Sequence, residues 1–177
     1  MGAVEKKNIV ICCLDYNIGL AVAKLLAERL DMYFLDIQGL YEFDIKPRTI
    51  AETIKEQGVD YYRNEMAGSI KYVSTFDNSI IVIESGAIEN EKNIERLKQH
   101  CLFVYVRSFP QWISNKNHQF LCKSKEEEGL YKLNGATIVQ RDNILCKVSD
   151  IVSYGDYKEY DTFVNDIVEK IKEYYGV

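Results

Sequence analysis

Basic residues are in the minority. The chain carries 22 lysines and arginines against 27 aspartates and glutamates, a net charge of −5, and the basic residues form no cluster. A reader of phosphate backbones needs the opposite balance, so nucleic acid is not an expected partner. Long apolar runs are also missing. Residues 9–14 and 80–83 are typical of the longest, far short of the roughly 20 residues that cross a bilayer, so no membrane partner is expected either. Lys6 and Lys7 precede an apolar run that Asp15 interrupts with no small-residue cleavage site after it, which does not make a secretion signal. Gly2 lacks the Ser or Thr at position 6 that myristoylation requires, since Lys6 stands there. The five cysteines are odd in number and contain no C-x-x-C pair, which disfavours a disulfide framework or a zinc site and suits reduced thiols in a cytoplasmic protein. Prolines number two, and no repeat, low-complexity stretch or linker divides the chain.

What is present is enough for one core. The chain has 177 residues, of which 47% are hydrophobic, so a single domain over residues 1–177 is expected. Residues 8–14 form a short β-rich apolar run, and residues 18–30 then place Ile18, Val22, Leu25 and Leu26 on one helical face. A second strand over residues 32–35 ends at Asp36, followed by a loop containing Pro47. Helices are expected over residues 50–57 and 60–76, separated by Gly58, and over 91–100. Residues 79–83 and 102–106 are continuous apolar runs of the kind buried on both faces of a parallel sheet. A last strand at 151–153 precedes a helix from residue 159 that aligns Phe163, Ile167, Ile171 and Tyr174. Residues 111–136 lack a sustained apolar period and read as a lid-like mobile segment. Alternating strands and helices of this length imply right-handed crossovers, hence a three-layer α/β/α fold with a parallel sheet of about five strands.

Ligands in such sheets bind beyond the carboxyl ends of the strands. The residues to weigh therefore fall at 15–19, 36–39, 84–87 and after 106. Leu35-Asp36 after the second strand, Thr49-Ile50-Ala51-Glu52 opening a helix, Gly58-Val59-Asp60-Tyr61-Tyr62-Arg63, Glu84-Ser85-Gly86-Ala87 after the third, and the run from Arg141 to Asp150 stand in a characteristic order. In that order and spacing the chain resembles the shikimate kinases, small phosphate-loop kinases, from about residue 8 to 175. The resemblance implies a phosphate-loop small-molecule kinase fold. It implies that Asp36 matches the first acid of a D-x-D pair that organises metal and phosphate, while the second, the presumed base, is replaced by Gln38. Arg63 and Arg141 match the two arginines that hold the acceptor's carboxylate, a task suited to planar, permanently charged forks. Gly86 is what remains of a glycine triplet, with Glu84 and Ser85 in the other places. The lid arginine has no counterpart near His118-Gln119-Phe120-Leu121, where Lys116 and Lys123 are weak substitutes.

The first turn departs most. Where the family requires G-x-x-x-x-G-K-[ST] to cradle a nucleotide triphosphate, this chain reads Cys13-Leu14-Asp15-Tyr16-Asn17-Ile18-Gly19-Leu20. The lysine, the magnesium hydroxyl and both motif glycines are absent. Asp15 repels a polyanion, and Asp15 or Asn17 suits a helix cap, so a side chain is expected at the helix N-terminus that phosphate would otherwise take. Losing one preorganised group that stabilises transition-state charge costs roughly 10²–10³ in rate. The expectation is thus a protein with a degenerate phosphate loop at Asp15, Asn17 and Gly19, inactive or strongly impaired, that binds a small carboxylate or a partner protein, with no cofactor assigned. The alternative is an active kinase of shikimate or a related hydroxy-acid, using ATP and Mg²⁺ with Asp36 as the metal ligand. His100 and His118 lack acidic or cysteine neighbours at useful spacing and are assigned no role.

Overall fold

Alternation along the first strand already sets the layers. In the computed structural model, which describes residues 8–107, 135–154 and 160–176, all six residues of β1 (Asn8–Cys13) are buried. Val10 and Cys12 enter one apolar cluster, and Ile9, Ile11 and Cys13 enter the other. A strand whose two faces are both apolar belongs at the centre of a covered sheet. β1 lies there, with β3 (Ser79–Glu84) and β4 (Cys101–Arg107) on its two sides, in the parallel order β2-β3-β1-β4-β5. β2 (Tyr33–Asp36) and β5 (Ile151–Tyr154) form the edges.

Helix α1 (Tyr16–Leu30) packs on one face through Val22, Ala23 and Leu26, together with the last helix, α7 (Tyr160–Tyr175), through Phe163, Val164, Ile167 and Ile171. The opposite face is covered by α2 (Ile37–Asp44), α3 (Ile50–Gln57), α4 (Val59–Val73), α5 (Glu91–His100) and α6 (Gly135–Val148). A 3₁₀ helix, Ser85–Glu89, joins β3 to α5. The expected three-layer sandwich on a five-stranded parallel sheet is therefore what forms. Thr49 and Glu52 make a reciprocal capping box at the start of α3. Gly58, at a φ of 89°, separates α3 from α4, a backbone that a side chain would strain.

Three sequence expectations need correction, and one helix, α6, has no counterpart among them. α2 occupies what the sequence suggested was loop, because Asp36 caps it and Ile37 and Tyr41, one turn apart, are buried. α6 runs through Asp142-Asn143, a pair that reads locally as a turn; Ile138 and Leu145 on its inner face are buried, and tertiary packing overrides local preference. α4 stops at Val73 rather than Phe76, since Thr75 and Phe76 bond back to Tyr72 and Val73 in tight turns. Tyr174 is 46% exposed, although its helical partners Phe163, Ile167 and Ile171 are buried. Most of the lid-like segment expected at 111–136, including Lys116, His118 and Lys123, lies outside the described residues. Cys12, Cys13 and Cys101 are buried, whereas Cys146 is exposed. Among the described residues no helix is long and apolar enough to cross a membrane.

Candidate functional site

Parallel pairing brings the carboxyl ends of β1, β2, β3 and β4 to one edge of the sheet, with Cys13 opposite Glu84 and Val106. Asp15 follows β1 immediately. Its extended backbone (φ −94°, ψ 109°) makes it the N-cap of α1, and its Oδ1 accepts from the Asn17 N–H at 3.0 Å. Asn17 thus supplies the donor and Asp15 the cap. Gly19 is already inside the helix, its N–H bonded to the Asp15 carbonyl at 3.1 Å. A Cβ there would come to 3.2 Å from the Cys13 Cβ, so this glycine permits close packing of helix on strand.

Asp36, at the end of β2, caps α2 by accepting from the Gly39 N–H at 2.8 Å. Gly39 has to be glycine, because a Cβ would sit 2.5 Å from the Asp36 Oδ2. The same Oδ1 also accepts from the Tyr16 hydroxyl, one residue into α1. Burial raises the Tyr16 phenol above its usual range, and the Asp36 carboxylate beside it raises it further; the Gln38 backbone opposes both. Tyr16 remains a neutral donor locked onto Asp36. Nothing in the sequence singled it out, since an aromatic in a first helical turn reads as packing.

The end of β3 holds a different arrangement. Glu89, at the close of the 3₁₀ helix, uses both oxygens. Its Oε1 accepts from Arg141 Nε at 2.8 Å and Nη2 at 2.7 Å, and its Oε2 meets Arg63 Nη2 at 2.8 Å. Arg141 Nη1 also donates to the Ser85 hydroxyl at 3.1 Å. The two arginines expected to converge do so, from α4 and α6, onto a carboxylate of the chain itself. Glu84 stands beside them. Burial lifts its carboxyl above the ordinary range, while Arg141, Tyr62 and Arg63 hold it down and Glu89 adds to the rise. Gly86 leaves room for this cluster: a Cβ would fall 3.3 Å from Arg141 Nη2. The direct ion pairs of both arginines go to Glu89. Because Ser85–Glu89 winds as a 3₁₀ helix, Ser85 and Glu89 both reach Arg141, a geometry that strand or loop spacing does not reveal.

Arg141 is held in place by its neighbour. Asp142 takes two bonds from Arg107 at the end of β4, Nε to Oδ1 at 2.8 Å and Nη2 to Oδ2 at 2.6 Å, and a third from the Tyr105 hydroxyl at 2.8 Å. This clasp ties α6 to the sheet edge. A cavity of about 370 Å³ opens beside Glu89, lined by Asp60, Arg63, Glu84, Gly86, Glu89 and Asn93 among others. Among the described residues no group of three or more His, Cys, Asp or Glu is arranged to hold a metal ion.

The family model described as shikimate kinase matches residues 21–172. The chain belongs to the shikimate kinase family. A shikimate kinase of Alkaliphilus oremlandii is 29% identical over 107 residues, 60% of this chain and 63% of that protein, so the match spans less than two thirds of its length. A shikimate kinase of Clostridium botulinum is 26% identical over 150 residues, covering 74% of this chain and 88% of that one. Among solved structures, the shikimate kinase of Bacteroides thetaiotaomicron superposes with a TM-score of 0.77 at 17% identity, covering 97% of this chain and 99% of its own. That of Acinetobacter baumannii, in complex with shikimate, gives 0.76 at 20% identity, covering 96% and 94%. At such identities the structures speak for the shared fold. In this frame Asp36 ends β2, Gln38 lies in α2, Arg63 in α4, Glu84 ends β3, Gly86 lies in the 3₁₀ helix and Arg141 in α6. Asp15, Asn17 and Gly19 build a capped helix start.

Proposed function

We propose that this shikimate kinase-family protein has lost phosphoryl transfer, or retains it only strongly impaired, and uses its acceptor-side cavity as a small-molecule binding site. The observation that carries this reading is the Asp15 carboxylate bonded at the start of α1. A helix N-terminus attracts phosphate through free N–H groups and partial positive charge. Here a carboxylate takes the Asn17 N–H, and the Gly19 N–H is spent on the helix. The residues of the turn do not fit a magnesium nucleotide: Gly19 and Leu20 stand where a lysine and a hydroxyl would neutralise and coordinate it.

Asp36 is the one retained acid on the phosphate side, and an active kinase would need it as metal ligand. Its Oδ1 is engaged twice, by Tyr16 and by the Gly39 N–H. Gln38, in the place of the second acid, cannot accept a proton at neutral pH. Arg63 and Arg141 still converge as an anion-binding pair. A coupled ADP-release assay with Mg-ATP and shikimate tests the reading: turnover at least about a hundredfold below the roughly 1–100 s⁻¹ of working kinases is expected. Turnover within that range, abolished by Asp36→Ala, would overturn it.

A further inference from the structure

The anion seat formed by Arg63 and Arg141 is filled by the chain itself. Arg141, whose side chain is 12% exposed, and Arg63 both bind the Glu89 carboxylate, which leaves neither of its oxygens unbonded. Glu89 is fixed on a short 3₁₀ helix between β3 and α5. A tethered competitor acts at an effective concentration of about millimolar or more, so a dissolved carboxylate must exceed that to displace it. An incoming anion would also meet Asp60 and Glu84 on the same cavity wall, and like charges at short range disfavour it. Hydroxyl groups would meet the reverse situation. The walls offer carboxylate acceptors from Asp60, Glu84 and Glu89 and donors from Arg63 and Asn64. Asn93, 3% exposed and also on that wall, donates to the Ala87 carbonyl while its Oδ1 meets no described residue. The volume, about 370 Å³, falls within the range of small-molecule sites.

We infer that Glu89 is a specificity-determining residue: it holds the anion seat of Arg63 and Arg141, so that the adjoining cavity takes a small neutral polyhydroxy compound in place of a carboxylate. The inference rests on the proposed reading of the cavity as a binding site and adds the class of ligand.

Shikimate and its methyl ester share ring and hydroxyls and differ in the charged group, which makes them the probes. Thermal unfolding midpoints and titrations with each are compared for the wild-type chain and Glu89→Gln. The wild-type chain is expected to bind the ester and to bind the acid at least about tenfold more weakly, and Glu89→Gln to reverse that order. Equal or tighter binding of the acid by the wild-type chain would overturn the inference, as would binding of neither probe by either protein. If Glu89→Gln does not fold, Glu89→Asp carries the test, because its shorter side chain withdraws the carboxylate from the pair. A gain in acid binding over wild type supports the inference, and no gain overturns it. Phosphate transfer by the wild-type chain would contradict the proposed loss of catalysis while leaving the ester-over-acid preference standing, so the two failures are distinguishable.

Discussion

Glu84 shows how one buried carboxyl couples the site to stability. Its folded-state pKa is raised above the ordinary 4.5, with burial the largest cause. A raised acid favours the folded state while protonated, so its contribution is complete below pH 4.5 and is lost as pH rises through the folded value. Denaturant unfolding of wild type and Glu84→Gln across that range should show wild type losing stability relative to the variant as pH increases; a difference that stays flat would mean that the arginines fully compensate the burial. At this scale the sequence was partly legible. Arg63, Arg141 and Gly86 could be placed from their order along the chain, and Asp15 could be read as a cap from its side-chain chemistry. Glu89 and Tyr16 could not, because both act through contacts between elements, Glu89 with Arg63 and Arg141, and Tyr16 with Asp36.

Elements differ in how openly the sequence declares them. β1, β3 and β4 are continuous apolar runs with no competing period, and α3 carries its own capping box. α2 has only eight residues and a single buried pair, Ile37 and Tyr41, so its periodicity is too short to register. α6 hides for another reason: Asp142-Asn143 prefers a turn in isolation, and its helical state is secured from outside by Arg107 and Tyr105. That clasp is testable. Asp142→Ala leaves the Arg107 guanidinium and the Tyr105 hydroxyl without their shared acceptor. Because Arg107 is 31% exposed and water can reach it, the loss is expected to be about 2–3 kcal/mol rather than the full cost of a buried pair. Urea unfolding should show a lower midpoint at unchanged slope. A loss below about 0.5 kcal/mol would mean that α6 docks without the clasp, through its apolar face and the Arg141 bonds to Glu89 and Ser85.

For the whole molecule, the shikimate kinase fold is maintained by burial that does not depend on the first turn. Both apolar clusters are built mainly from strand interiors and helix faces, and the stretch from Asp15 to Gly19 adds the partly buried Tyr16 and Ile18 and the packing of Gly19 against Cys13. Architecture and chemistry are therefore separable here. The alternation of strands with helices made the layers and the parallel sheet readable. The Asp15 cap at the start of α1 was readable too, because its short carboxylate suits a helix N-terminus. Which carboxylate would take the two arginines was not, since it depended on the winding of five residues after β3.

Loss of phosphoryl transfer requires that the turn after β1 no longer receives a nucleotide. Isothermal titration of Mg-ADP into the wild-type chain, with protein concentration in the tens of micromolar, measures this directly. No saturable heat is expected at millimolar nucleotide, because the Asp15 carboxylate holds the start of α1. A saturable one-to-one isotherm in the micromolar range would contradict it.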